Sequence, residues 1–322
     1  MEQLAGRIAV VTGGGTGIGR ELVVQLAAAG CSVAACDVAL GALEETRALA
    51  LGVATDGVEV TTHDADVTSQ DEVLAFRDEV ADAHGTAHVN LVFNNAGIAG
   101  GGSFVSGDRE DWERTFAVDW GGVYLVTRCF LGMLIAADEG HLVNVSSVNG
   151  LWASVGQGRP HTAYSAAKFA VRGFSEALIN DLAMHAPHVR VSVVMPGHVG
   201  TSIVLNAVAG PGSEPARMDP SRLALVRAEV ANFGIDPATV SDDELRALTQ
   251  AIGEQYRDAA PMTAAAAATT ILEGVRANRW RILVGEDARV IDELVRADPE
   301  RAYETDFLEA LRGSGLFPML IG

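Results

Sequence analysis

The chain has 322 residues, 48% of them hydrophobic, with a formal charge of −19 and a pI near 4.7. That supplies a sizeable core for one large domain or two small ones, and with no basic run to offset the acidity it excludes nucleic acid and anionic membrane surfaces as partners. The three cysteines, Cys31, Cys36 and Cys129, have no paired spacing and no histidine cluster beside them, which excludes a disulfide frame or a metal site and suits a reducing, cytoplasmic compartment.

Met1-Glu2-Gln3-Leu4 leads straight into residues 7–12, a β-branched run that reads as a buried strand, with no signal-peptide pattern before it. Gly13-Gly14-Gly15-Thr16-Gly17-Ile18-Gly19 follows, then a helical stretch to Ala29 and a second strand over 32–37. Strand, glycine loop, helix, strand is the opening of a dinucleotide-binding fold. The usual G-x-G-x-x-G register fails because Ile18 stands where the third glycine is needed. The spacing that holds is T-G-x-x-x-G-x-G, from Thr12, Gly13, Gly17 and Gly19. Its physics is the same: close backbone approach to a pyrophosphate and a helix N-terminus aimed at it. Gly15, Thr16 and Ile18 belong to the same loop. Asp37 ends the second strand, where an acid accepts adenosine ribose hydroxyls in NAD sites, and neither Thr16 nor Val38 offers a cation for a 2′-phosphate. An N-cap for the following helix is the plainer role for the same residue.

Residues 58–63 read as a third strand, closed by Asp64-Ala65-Asp66-Val67-Thr68, with Asp66 and Val67 placed for the adenine edge or, for Asp66, as a simple turn acid. Ser69 and Glu72 form the pattern of a capping box for a helix through Ala83. A fourth strand over 88–93 ends in Asn94-Asn95-Ala96-Gly97, small residues suited to packing on a cofactor. Residues 108–136 read as one long helix whose Trp112, Phe116, Trp120 and Tyr124 belong to core or interface; no apolar run is long enough to span a bilayer.

A fifth strand over 141–145 leads to Ser146-Ser147. Tyr164 comes later in the chain, with Lys168 four residues beyond it. Positions i and i+4 share a helix face, so phenol and ammonium stand side by side. A neighbouring cation favours the phenolate over a phenol whose ordinary pKa is about 10, making Tyr164 an acid/base candidate with Ser147 to hold the reacting oxygen. Y-x-x-x-K is common by chance, but Lys168 is the lone lysine of a chain with 23 Lys+Arg. A compact charge has been used where arginine serves everywhere else. A sixth strand over 189–194 then runs into Pro196-Gly197-His198-Val199-Gly200-Thr201. Strands and helices alternate throughout, which implies a Rossmann-type α/β fold with a doubly wound parallel sheet.

These motifs together resemble the short-chain dehydrogenase/reductase family over about residues 5–201, and again at 280–285. The resemblance implies about seven strands, a single domain, homodimers or homotetramers, and hydride transfer between a nicotinamide and an alcohol or carbonyl carbon. It implies Tyr164 as acid/base, Ser147 as oxygen holder, and Lys168 as ribose ligand and tuner of Tyr164. Gly13, Gly15, Thr16, Gly17, Ile18, Gly19, Asp37, Asp66, Val67, Asn95, Ala96, Gly97, Pro196, Gly197, Val199 and Thr201 fall to NAD. Trp152 and His198 join Ser147 and Tyr164 as substrate contacts. Asp119 stands where the family usually has an asparagine whose backbone carbonyl anchors a catalytic water. The Ser–Tyr spacing is lengthened at Gly156-Gln157-Gly158-Arg159. Residues 202–260, with Ile203, Val204, Leu205, Val208 and Met218, form a substrate lid whose apolarity suggests an apolar alcohol or ketone; Ser241 and Glu244 cap a helix within it. Residues 287–322 form a helical extension. The leading expectation is an NAD-dependent secondary-alcohol dehydrogenase running as a ketoreductase in reverse. The alternative is a cofactor-binding sensor or scaffold with weak turnover.

Overall fold

The structure, a computed structural model, describes residues 1–154, 160–209 and 236–316, with 218, 220, 223, 224, 226 and 227. Its central strands are near-continuous apolar runs, as strands covered on both faces must be, while the edge strand at residues 60–64 is mostly polar. They are β1 (Ile8–Thr12), β2 (Ser32–Asp37), β3 (Val60–Asp64), β4 (Leu91–Asn94), β5 (Gly140–Val145), β6 (Val189–Pro196) and, much later, β9 (Arg281–Val284). They form one seven-stranded parallel sheet in the order β3-β2-β1-β4-β5-β6-β9. The strand order reverses between β1 and β4, so a crevice opens at the carboxyl ends of those strands.

Alternate residues of each strand serve opposite layers. Val11, Val33 and Ala35 pack with α1 (Gly17–Ala28), α2 (Leu40–Val53) and α9 (Ala264–Arg276). Val10, Ala34 and Cys36 face α3 (Gln70–Ala83), α5 (Val123–Ala136) and α6 (Thr162–His185). Beneath the crevice a chain of buried amides ties strand ends to helices: Asn94 Nδ2 donates to Thr127 Oγ1 (2.9 Å) and Asn144 Oδ1 (2.7 Å), and Asn144 Nδ2 donates to Ser175 Oγ (2.9 Å).

The long helix expected over 108–136 is interrupted. After α4 (Arg109–Phe116) comes a π-helical turn, Ala117–Gly122, before α5. Such turns mark functional positions, and this one carries Asp119. It also brings Gly122 against β3's connection, where a Cβ would lie 2.6 Å from Val67 Cγ2. The whole Arg109–Ala136 helix is long and apolar enough to cross a membrane by length and composition, contrary to the sequence expectation. Its Val126, Phe130 and Leu134 are instead buried in the core.

The segment 202–260, expected as a lid, carries α7 (Ile203–Ala209) and α8 (Asp242–Asp258) and is flanked by β7 (Val199–Gly200) and β8 (Met262–Thr263), which pair with each other. Ser241 and Glu244 form the expected capping box. The box expected at Ser69 is half made: Ser69 accepts from Glu72 N–H, but the Glu72 carboxylate accepts from Asp66 N–H (2.8 Å). The extension runs through α10 (Glu286–Ala297) and α11 (Thr305–Gly313). The proposed insertion at 156–159, the Gly/Pro-rich part of the lid, the Val208 side chain and residues 317–322 lie outside the described residues.

Candidate active site

A cavity of about 620 Å³ occupies the crevice. At one end the glycine loop makes its wall by having no side chains. A Cβ on Gly13 would lie 2.8 Å from Ala96 Cα, and one on Gly19 only 2.0 Å from Gly13 O. Gly13 and Gly17 hold φ of +64° and +56°, a region that favours glycine. Gly13, Thr16, Gly17 and Ile18 line the cavity; Gly15 and Gly19 do not, but build the loop behind it. Asn95 fixes the loop from β4, its Nδ2 donating to Thr12 O (3.0 Å) and Gly13 O (3.1 Å).

Asp37 clasps the same loop. Its Oδ2 accepts from Gly15 N–H and its Oδ1 from Ala39 N–H, both at 2.9 Å. Helix α2 has Ala39, not Asp37, at its N-cap. Asp37 lines the cavity, and each carboxylate oxygen, with one bond accepted, has acceptor capacity left for ribose hydroxyls. Arg20 was not weighed from the sequence. It is engaged with Gly15 O, Ala42 O, Thr46 Oγ1 and the Glu45 carboxylate. Asp66 and Val67 also line the cavity, and Asp66 doubles as a turn acid, accepting from Thr68 N–H and Oγ1–H at 2.8 Å each. Ala96, Gly97, Pro196, Gly197, Val199 and Thr201 complete this side. The cradle of absent side chains and the cavity-lining acid at the end of β2 fit a dinucleotide.

At the other end Ser147, Tyr164 and Lys168 meet as expected. Ser147 follows β5 and hydrogen-bonds Tyr164. Lys168 Nζ stands 5.3 Å from the Tyr164 ring centroid and donates to Val145 O (3.3 Å). The expected lowering of the phenol pKa is corrected. Burial pushes Tyr164 above its ordinary value, the Asp119 carboxylate adds to the rise, and the Ser147 hydrogen bond opposes it. Asp119 does not line the cavity. It lies fully buried behind Gly97, its Oδ1 3.2 Å from Lys168 Nζ and accepting from Ile98 N–H at 3.2 Å.

His198 does line the cavity, but its polar atoms are tied elsewhere: its N–H donates to Asp287 Oδ2 (2.5 Å) and its Nε2 pairs with Tyr256 O (2.7 Å). Trp152 lines it too, held by an Nε1–H bond to Ala302 O (2.7 Å) in the extension. From the lid, Ile203, Val204, Asn206 and Tyr256 reach the cavity. Leu205 turns instead onto Gly253 of α8, and Met218 joins a small lid core with Leu223 and Leu245.

Sequence reasoning missed His161, Tyr256, Ile291 and Leu316. His161 stacks on Tyr164 with centroids 4.6 Å apart, and burial lowers its pKa to about 4, so it is uncharged at neutral pH. A titratable group three residues before Tyr164, on the approach to the same helix, was the available signal. Tyr256 sits on α8 with its phenol pKa raised by burial, then by Tyr164 and Asp287. Ile291 and Leu316 come from the extension, which no local motif connects to the site.

A family model described as short chain dehydrogenase matches residues 7–211. SadH of Mycobacterium tuberculosis, a presumed oxidoreductase, is 35% identical over 299 residues, 92% of each chain. The (3R)-3-hydroxyacyl-CoA dehydrogenase of Mus musculus is 33% identical over 204 residues, 62% of this chain and 76% of its own. A solved short-chain dehydrogenase/reductase from Burkholderia phymatum in complex with NAD superposes with a TM-score of 0.73 at 28% identity, covering 93% of this chain and 96% of that one.

Proposed function

The chain belongs to the short-chain dehydrogenase family, and from that premise we propose that it interconverts a secondary alcohol and a ketone with NAD. The observation that carries this reading is the joining, in one cavity, of a glycine cradle ended by Asp37 with the Ser147–Tyr164–Lys168 cluster. A bound nicotinamide supplies the hydride acceptor or donor. Tyr164 takes the hydroxyl proton in oxidation and returns it in reduction, and Ser147 Oγ holds the reacting oxygen. Lys168 supports the nicotinamide ribose.

Preference for NAD rests on Asp37, a carboxylate against which a 2′-phosphate would sit unpaired. One such repulsion costs about 1.4 kcal/mol or more, a tenfold preference. Trp152, Ile203, Val204, Ile291 and Leu316 give the reacting end an apolar wall and support an apolar substrate. Free Cys31, Cys36 and Cys129 support a cytoplasmic home. Exposed Tyr124 on α5 and Phe169 on α6 support a dimer or tetramer, to be checked by the mass in solution.

The test is a screen of secondary alcohols and ketones with each cofactor, followed at the absorbance of reduced nicotinamide. Turnover at least tenfold better with NAD is expected. Cofactor binding without turnover of any alcohol or ketone would support the sensor or scaffold reading, which has in its favour the charge of Asp119 against Lys168.

A further inference from the structure

The site places an acid where the lysine's charge matters most. Asp119 Oδ1 is fully served, by the Lys168 ammonium and the Ile98 N–H, while its buried Oδ2 has no hydrogen-bond partner. Burial raises the carboxyl to about 6 and Lys168 opposes the rise, so at neutral pH the group is ionised and paired. Tyr164 therefore faces an ammonium already neutralised from behind. The other groups around the phenol add no charge: His161 is neutral, Tyr256 is a phenol of raised pKa, and Ser147 is a hydroxyl. Asp287 lies beyond them, buried and held by the His198 and Ala288 N–H groups.

We propose that Asp119 is a positioning residue that acts through Lys168 to keep the proton on Tyr164, so that at neutral pH the enzyme presents a phenol ready to donate to a carbonyl oxygen and only a small fraction of the phenolate that alcohol oxidation needs. This rests on the reading above for the reaction and sets its kinetic bias, not its equilibrium. The sign follows from charge alone. An anion near a titrating phenol disfavours the phenolate, and the pairing offsets the Lys168 ammonium that stands 5.3 Å from the Tyr164 ring centroid. Because the acid does not line the cavity, its influence is on the protonation state of Tyr164 and not on direct contacts there.

Asp119→Asn tests this cleanly. The amide keeps the size, its oxygen can accept from both Lys168 and Ile98, and its NH2 takes the place of the partnerless Oδ2, so the charge is lost while the pairing geometry is kept. Tyrosinate absorbance is titrated with NAD bound in wild type and Asp119→Asn, each against its Tyr164→Phe counterpart, which subtracts the other tyrosines of the four. The Tyr164 transition is expected to fall by about one pH unit or more, a tenfold rise in phenolate at a given pH. The rising limb of alcohol oxidation should move down by the same amount. Asp119→Ser, smaller and also neutral, is expected to move both the same way and covers a folding failure of the first variant. A Tyr164 transition that stays where it is in wild type, or that remains unseen over the same stable pH range, overturns the proposal. So does a uniform fall in kcat with an unmoved limb, the mark of a purely structural role. If the titration shifts but no alcohol or ketone turns over in either protein, the proton inference stands and the reaction assigned above falls.

Discussion

The two ends of the cavity are built by opposite means. The nucleotide end is made of backbone: glycines whose missing Cβ atoms let Gly13, Gly19, Asn95 and Ala96 crowd together, with the Asp37 carboxylate clasping the loop. Its loop and its acid lie within residues 12–37, joined by short segments at 95–97 and 196–201. The reacting end is made of polar side chains gathered from far apart, Asp119, Ser147, Lys168 and Asp287 buried and Tyr164, His198 and Tyr256 half-buried. Binding at the first end depends on shape, whereas chemistry at the second depends on where charges and protons rest. Substitutions at the two ends should therefore separate affinity from rate.

The largest separation is expected at the reacting end. Tyr164→Phe should cut turnover by roughly a thousandfold, within the range for loss of a general acid–base group, while NAD affinity measured by nucleotide titration stays near wild type. Lys168→Arg preserves the charge, yet a planar fork cannot replace three rotatable donors in the space between Asp119, Val145 O and Tyr164. A fall in kcat of about a hundredfold, or about 2.7 kcal/mol, is expected, with a displaced pH–rate profile. An unchanged kcat and profile would show that charge alone suffices there.

At the nucleotide end Gly19→Ala should do the reverse. Its Cβ meets Gly13 O and Asn95 Nδ2, so the loop must shift at a cost of about 1–3 kcal/mol. We expect NAD affinity to drop at least tenfold while kcat at saturation stays within about threefold; a kcat effect without an affinity effect would break the contrast. The smallest effect is at Asp37→Ser. Removing the carboxylate should erase about 1.4 kcal/mol of discrimination and bring the NAD and NADP specificity constants together.

The sequence disclosed the nucleotide end more fully because its signals are local. The Thr12–Gly19 spacing and Asp37 at the strand end act close to where they are read, and Asn95-Ala96-Gly97 was legible as small strand-end residues although Asn95 acts across the sheet on Thr12 and Gly13. The Ser147, Tyr164 and Lys168 cluster was legible because its spacing is a helix-face argument. Other features depended on tertiary contact. The π-helical turn follows from no propensity in Ala117–Gly122, and the Asp119–Lys168 pair needs the packing of that turn on α6. Glu72 looked like half of a capping box, but the Asp66 N–H was the nearer donor. Trp152 was named as a contact without its reason: the extension holds it through Ala302. The lowered Tyr164 pKa failed because the cation was counted while burial first, and then the acid behind it, were not.

Helix α9 returns from beyond the lid to pack on α1, burying Leu22, Val23 and Leu26 beside Ile271 and Val275 and joining Gln25 to Ala265 O (2.9 Å). During synthesis from the N-terminus, the strands that shape the glycine loop emerge long before the segment that covers that helix. Until then α1 carries an uncovered apolar stripe, a surface that invites chaperones or self-association. Closing so long a loop is entropically slow compared with local pairing. The end of the site easiest to read in the sequence thus waits for a distant part of the chain before it can mature.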